Sequence, residues 1–250
     1  IDGAVHLGAG DDAATLHYGS LVTGLLDGGA GDDTLTLLGT AASALPEGST
    51  WNGLAAWDIE QAWVHGGAWL LSGGTAIRAA EVYDAYLRID DDVAISDLTL
   101  AGGALVGEGH LTGNVTNAGM FSPGSSPGVV NIMGDFTQDA TGTLVIELAG
   151  LLAGDDYDQL VIGGNATLGG TLDVLVLGGF TLADGMQFDI ITVDGTLTGT
   201  FVGLGQDSLL ASFGEVGLYV HYNYLEGASG VSLYTAVVPE PGSLTVVAIG

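Results

Sequence analysis

The chain has 250 residues, of which 44 are glycine and none is cysteine, and its 30 acidic residues against two basic ones give a formal net charge of -28. A surface this acidic repels phosphate backbones and anionic lipids, so we expect neither nucleic-acid binding nor peripheral membrane binding. The lack of cysteine excludes disulfide bridges and thiol chemistry.

Residues 1–39 carry the clearest metal signal. Residues 28–36, GGAGDDTLT, fit the nonapeptide G-G-x-G-x-D-x-U-x, and residues 8–12, GAGDD, are a partial copy. The pattern resembles the RTX-type repeat, and that resemblance implies Ca²⁺ binding. Because the copies lie about one coil apart, we expect their turns to stack ~4.8 Å apart. The expected ligands are carboxylates together with backbone carbonyls that glycine turns inward, from Asp11, Asp12, Asp32, Asp33, Gly10 and Gly31. The alternative is a plain tight turn with solvated carboxylates.

All four tryptophans lie between residues 40 and 74, at even spacing: Trp51, Trp57, Trp63 and Trp69. Flanking glycines favour strands joined by turns over helix. We expect the indoles to fill the interior of a coil or to cap its end. A binding role is the alternative, with Trp57 and Trp63 as the candidates for stacking on sugar rings.

Residues 75–101 can be read in two ways. RAAEVYDAYLR has the best helical propensity of the chain, but its alternating side chains fit a strand equally well. Both arginines, Arg78 and Arg88, lie here. We expect them to form solvated ion pairs with neighbouring acids such as Asp90.

The stretch of residues 102–150 consists of short runs of Val, Ile, Leu and Thr, each ended by Gly, Asn, Asp or Pro. Such runs predict strands and tight turns that coil into a stacked β-solenoid. Alternation predicts that Leu144, Ile146 and Leu148 share a core face. L-x-G-x-G-x-L-x-G-x-V followed by SPGSSPGVVNIMGDFTQ resembles the passenger-domain repeat of bacterial autotransporters, over roughly residues 51–201. That resemblance implies an all-β fold, a right-handed parallel β-helix.

Residues 151–236 have longer and more apolar strands. YDQLVIGGNATLGGTLDV resembles the end of autotransporter passengers, where the last coils meet a β-sandwich-like cap. LYVHYNYLEGASGVSLYTAV predicts a hairpin around Glu226-Gly227. The acidic cluster of Asp155, Asp156 and Asp158 is interpreted as an ordinary turn, and a set of metal ligands is the alternative.

The tail, residues 237–250, contains Val238, Pro239, Glu240 and Pro241 followed by an apolar run. It resembles the PEP-CTERM sorting signal, which implies export in a Gram-negative bacterium and processing by an exosortase. The full membrane segment and the terminal arginine cluster of that signal are missing here. No window of 18 apolar residues occurs in the sequence, which excludes a complete transmembrane helix within it.

Motifs for catalysis are weak. The five histidines lack zinc-site spacing, and neither a G-x-S-x-G elbow nor a P-loop occurs. We therefore expect no enzymatic activity. A polysaccharide lyase or a glycosidase is the least favoured alternative, because thirty acids could include a catalytic pair.

Four segments are predicted: Gly-Asp coils in residues 1–39, a solenoid in 40–150, last coils and a C-terminal cap in 151–236, and the sorting tail in 237–250. The expected function is an exported structural protein of the cell surface or biofilm matrix, stabilised by Ca²⁺. We expect it to assemble with copies of itself, either head-to-tail or by donating its apolar tail as a strand to the next copy, since solenoids end in unpaired strand edges. The alternative is an adhesin that binds extracellular polysaccharide. Contact with a membrane is expected only through an uncleaved tail.

Overall fold

The computed structural model describes residues 1–20, 22–40, 51–124, 126–223 and 229–238, and within these ranges the chain is all-β without helix. The first strands are β1 (Val5–Ala9), β2 (Ala13–His17), β3 (Leu25–Ala30), β4 (Thr34–Leu38), β5 (Asn52–Trp57), β6 (Ile59–His65), β7 (Ala68–Leu71), β8 (Ala76–Tyr83), β9 (Tyr86–Ile89), β10 (Asp92–Leu100), β11 (Ala104–Gly107) and β12 (Gly109–Leu111). The later strands are β13 (Asn114–Asn117), β14 (Met120–Pro123), β15 (Val129–Ile132), β16 (Phe136–Gln138), β17 (Thr143–Leu148), β18 (Gln159–Ile162), β19 (Ala166–Leu168), β20 (Thr171–Val176), β21 (Gln187–Val193), β22 (Leu197–Gly199), β23 (Ser208–Phe213), β24 (Val216–Tyr222) and β25 (Ser229–Val237).

The strands up to β22 form long parallel ladders that follow the chain. Ladder A has the order β1-β3-β5-β7-β9-β11-β14-β17-β20, and ladder B begins β2-β4-β6-β8-β10. The long strand β10 then pairs with both β12 and β13, so ladder B continues through β13-β16-β19-β22 and ladder C runs β12-β15-β18-β21. This all-β, parallel architecture agrees with the predicted class and is compatible with a solenoid.

The core is built from apolar side chains stacked in register between the ladders. Leu144, Ile146 and Leu148 are each 0 % exposed, which confirms the predicted core face of β17. Each buried leucine contributes roughly 1.5–3 kcal/mol relative to an exposed one. One continuous column in ladder A consists of Trp69, Leu87, Leu105, Phe121, Leu144 and Leu172.

Residues 75–101 form strands and not the alternative helix. Ala80 and Val82 of β8 stack in register on Ala62 and Val64 of β6, and all four are buried. Asp84, at φ 46°, makes the turn between β8 and β9. Burial between stacked strands outweighs helical propensity, which amounts to a few tenths of a kcal/mol per residue, about 0.7 at most.

A corner of glycine followed by a polar residue repeats along ladder B. Each glycine N–H donates to the glycine carbonyl of the rung before, at 3.2 Å for Gly134 to Gly113 and at 3.0 Å for the next two rungs. The Asp135 N–H donates to Asn114 Oδ1 at 2.9 Å, and the Asn165 N–H donates to Asp135 Oδ1 at 2.6 Å. We call this the Gly-Asx corner: Gly113-Asn114, Gly134-Asp135, Gly164-Asn165 and Gly195-Thr196.

The C-terminal strands form an antiparallel extension of ladder C, in the order β21-β25-β24-β23. β24 and β25 are the antiparallel pair predicted around Glu226-Gly227, and that turn lies outside the described residues. Leu182, which precedes β21, and Phe201, which follows β22, are buried in the same core.

Candidate metal centre

The two Gly-Asp turns lie on adjacent rungs. Ala13 of β2 pairs in register with Thr34 of β4, so the residue before each strand also stacks. The Asp12 N–H donates to Asp33 Oδ1 at 2.8 Å, and the Asp32 N–H donates to Asp11 Oδ1 at 3.1 Å. All four aspartates of the predicted site therefore lie at one edge of the first two rungs.

The glycines of these turns lie too close to each other for side chains. Gly10 and Gly31 have φ of 112° and 149°, in the region that disfavours other residues. A Cβ at Gly31 would lie 2.2 Å from the Gly10 carbonyl oxygen. These glycines shape the turn through their backbone, as the nonapeptide pattern predicts.

A third rung, which no sequence motif predicted, extends the acidic stack. The Asp33 N–H donates to Glu60 Oε2 at 2.7 Å, and the Glu60 N–H donates to the Asp33 carbonyl at 3.1 Å. Asp58, with φ of 54°, makes the turn before β6. Glu60 follows no Gly-Asp motif, so only the strand register could have revealed it.

Asp33 is the unusual residue of the stack. It is 0 % exposed, and its second carboxylate oxygen, Oδ2, is the one buried side-chain polar atom among the described residues that lacks a hydrogen-bond partner. A Cβ placed on Gly28 would lie 2.8 Å from that oxygen and 2.1 Å from the Asp58 carbonyl oxygen. Because Gly28 has no side chain, Asp33 Oδ2 and the Asp58 carbonyl oxygen border the same small space.

This donor set suits a hard cation better than zinc. Carboxylate and carbonyl oxygens are the ligands that Ca²⁺ prefers, and an unpaired buried carboxylate oxygen costs free energy that a cation would offset. Of the predicted residues, Asp33 has this inward geometry, whereas Asp11 and Asp32 are exposed. In the described part of the chain, no cluster of three or more acidic or histidine side chains is arranged to hold a metal. Backbone carbonyls would have to complete the coordination.

The tryptophans divide between core and surface. Trp69 is 0 % exposed, as predicted for a core residue, and its Nε1–H donates to the Gly66 carbonyl at 2.9 Å. Trp57 is 49 % exposed. The Trp63 ring stacks near Tyr83, with centroids 6.3 Å apart. Of the two candidates for sugar stacking, Trp57 is therefore exposed and Trp63 is half-buried, as is Trp51.

Asp158, interpreted from sequence as part of an ordinary turn, is 0 % exposed. Its two oxygens accept the N–H groups of Gly128 and Glu147, each at 2.8 Å, and so join two segments of the chain. Burial raises the pKa of the Asp158 carboxyl from 3.8 to about 7, the two N–H donors counteract this in part, and the charge of Glu147 raises it further.

Surface grooves lie farther along the molecule. One of about 790 Å³ contains Arg88, paired with Asp90 at 2.7 Å, and His110, paired with Asp92 at 2.8 Å. The Arg88–Asp90 pair agrees with the predicted ion pairing. A second groove, of about 550 Å³, lies on the C-terminal strands.

Of the predicted sorting residues, the structure describes Val238, whose N–H donates to the Glu215 carbonyl at 2.8 Å. Pro239, Glu240 and Pro241 lie outside the described residues. No helix in the described ranges has the length and apolar character needed to cross a membrane. Comparison with protein-family models and with curated proteins finds no match for this chain.

Proposed function

We propose that the chain is an exported structural protein of the Gram-negative cell surface or extracellular matrix. In this proposal it winds as a right-handed β-solenoid and assembles head-to-tail into filaments. The localisation rests on the resemblance to autotransporter passengers and to the PEP-CTERM tail. Catalysis has no place in the proposal, and a membrane enters only through an uncleaved tail.

The observation that carries the proposal is the outer edge of β20. β20 is the last strand of ladder A, and no described strand pairs with its outer edge, although the chain continues beyond it. Leu175 on this strand is 42 % exposed. An unpaired edge is a template for another strand, and a copy that stacks its β1–β2 rung there would extend the ladder. Such a contact does not close on itself, so it would propagate into a filament.

Cations are part of the proposal because copies with a formal net charge of -28 repel each other. We propose that Ca²⁺ binds at Asp33, with the Asp58 carbonyl and the stacked Gly-Asp turns around it. When bound, the ion would neutralise a buried carboxylate and hold the first three rungs together. Ions in solution would also screen repulsion between copies.

Electron microscopy and sedimentation of the purified chain, with Ca²⁺ and with a chelator, test this proposal. We expect filaments with Ca²⁺ and far fewer with the chelator. Leu175→Asp places a charge on the β20 edge and should prevent assembly. Met133→Asp adds the same charge at a side chain that is 64 % exposed between β15 and β16, away from the ends of the ladders, and should leave assembly intact. Monomers under both conditions, or equal assembly of the two variants, would contradict the proposal.

A second candidate function is an adhesin or carbohydrate-binding module. The exposed Trp57 and the stacked Trp63–Tyr83 pair favour it, because exposed aromatic faces bind sugar rings. Binding on a glycan array that Trp57→Ala or Trp63→Ala abolishes would support this candidate. Binding that neither variant changes would count against it.

A further inference from the structure

The outer face of the C-terminal strands carries a pocket that the filament proposal does not use. It measures about 550 Å³ and is lined by Met186 and by polar or aromatic side chains from β21, β24, β25 and the turn before β23. Among these are Gln187, Asp207, His221, Ser232 and Tyr234.

Strand register brings the polar side chains of this pocket together. Ser232 pairs with His221 on one side and with Asp189 on the other, so the three residues share a face of the sheet. His221 Nδ1 lies 2.6 Å from Asp207 Oδ1, and Gln187 Nε2 donates to Asp189 Oδ1 at 2.8 Å. These hydrogen bonds orient the side chains within the pocket.

An aromatic wall stands beside these groups. The Tyr219 and Tyr234 rings stack with centroids 5.3 Å apart, and the His221 ring meets Tyr234 edge-on at 6.2 Å. Burial raises the pKa of the Tyr234 phenol above its usual value, and the charge of Asp207 and the hydrogen bond to it add to this. The phenol is therefore protonated at neutral pH.

Charge restricts what the pocket can accept. Asp207 lines it, the Asp189 carboxylate lies beside it, and neither of the two arginines of the chain is among its lining residues. Anionic sugars such as uronates would meet repulsion. A pyranose ring without acidic groups would find an aromatic ring to pack against and planar polar side chains for its hydroxyls.

We infer that this pocket binds a neutral or amino hexopyranose, with Tyr234 as the aromatic contact and with Asp207, His221 and Gln187 as hydrogen-bond partners. The site is separate from Trp57 and Trp63 and does not depend on filament assembly. Failure of either proposal therefore leaves the other standing.

Saturation-transfer NMR of the full chain with galactose, N-acetylglucosamine, glucosamine and glucuronate tests the inference. We expect transfer to at least one of the first three sugars and none to glucuronate. Tyr234→Ala and Asp207→Asn should each raise the Kd roughly tenfold or more. Tyr18→Ala, which removes an aromatic ring that is 42 % exposed at the other end of the chain, should leave the Kd unchanged.

Several results would overturn the inference: no transfer to any neutral or amino sugar, equal transfer to glucuronate, or a signal that only Tyr18→Ala removes. Thermal unfolding of each variant checks that it is folded. If Tyr234→Ala does not fold, Asp207→Asn decides, because its side chain keeps the shape of the original. Unchanged binding in Asp207→Asn then refutes the assignment.

Discussion

Asp33 and Asp158 are both aspartates with 0 % exposure, but their hydrogen bonding differs. Both oxygens of Asp158 accept backbone N–H groups, whereas only one oxygen of Asp33 has a partner. A buried polar atom without a partner costs about 1–3 kcal/mol. The chain thus supplies hydrogen-bond partners for both oxygens of Asp158 but for only one oxygen of Asp33.

Asp33→Asn tests the proposed cation site. The amide keeps the Oδ1 acceptor and removes the negative charge, so the unfolding temperature of the variant should not rise when Ca²⁺ is added. The wild-type chain should gain about 2.7 kcal/mol at a Ca²⁺ concentration 100 times the Kd. Calorimetric scans with and without Ca²⁺ measure this. Asp184→Asn, at an exposed aspartate far from the Gly-Asp turns, should respond like wild type, and an equal response of Asp33→Asn would reject the site.

From the raised pKa of Asp158 we predict that the free energy of unfolding falls as the pH rises. Because its folded pKa of about 7 lies above the ordinary 3.8, the folded chain holds a proton that the unfolded chain releases between these values. The protonated Asp158 carboxyl stabilises the folded chain fully below pH ~4. This stabilisation, at most about 4 kcal/mol, is lost as the pH rises through 7.

Chemical unfolding of Asp158→Asn at pH 5 and pH 8 measures this contribution. The NH₂ group of the amide would face one of the two backbone N–H donors and could not accept from it. The variant should therefore be less stable at pH 5, by about 1–3 kcal/mol. The deficit should shrink by pH 8. The exposed Asp155→Asn serves as control, and a deficit independent of pH would contradict the assignment.

At the scale of the element, the Gly-Asx corner explains why strands this short persist. β16 and β19 have three residues each, too few to be stable alone. Their turns are held to the rung before by the stacked glycine N–H groups and by Asx side chains that accept N–H groups of the next rung. The corner therefore links each strand to its neighbours beyond the ladder bonds.

Gly134→Ala should destabilise the chain by about 1–3 kcal/mol, because the added Cβ would lie 2.5 Å from the Gly113 carbonyl oxygen. Denaturant unfolding measures the loss. Gly102→Ala is the matched control, since a Cβ there meets nothing within 4 Å and φ is not positive. Equal stability of the two variants would show that the corner tolerates a side chain.

At the scale of the whole molecule, charge opposes compactness. Thirty carboxylates and two basic side chains leave few attractive pairs, and three histidines, His6, His110 and His221, lie against aspartates at 2.6–2.8 Å. Parallel ladders hold this surface together through backbone bonds and a continuous apolar core. Repulsion is thus spread along the molecule and outweighed by burial.

Unfolding temperature should therefore rise with ionic strength. Raising NaCl from 10 mM to 500 mM shortens the Debye length from about 30 Å to a few Å and screens the repulsion. Scanning calorimetry in a chelator measures the effect apart from the proposed Ca²⁺ site. An unfolding temperature that stays constant or falls with salt would mean that surface repulsion contributes little.

Local patterns were sufficient for the all-β class and for the core face of Leu144, Ile146 and Leu148, because period-two alternation and glycine turns act within a few residues. The stacking of the Asp12 and Asp33 turns followed from the repeat of GAGDD after 21 residues. Only the tertiary structure decided that residues 78–88 are strands, that Glu60 joins the acidic stack and that Asp158 is buried. These outcomes depend on pairing between rungs 17 to 31 residues apart. Spacing that varies this much leaves no fixed period in the sequence, so the register becomes visible only once the ladders are formed.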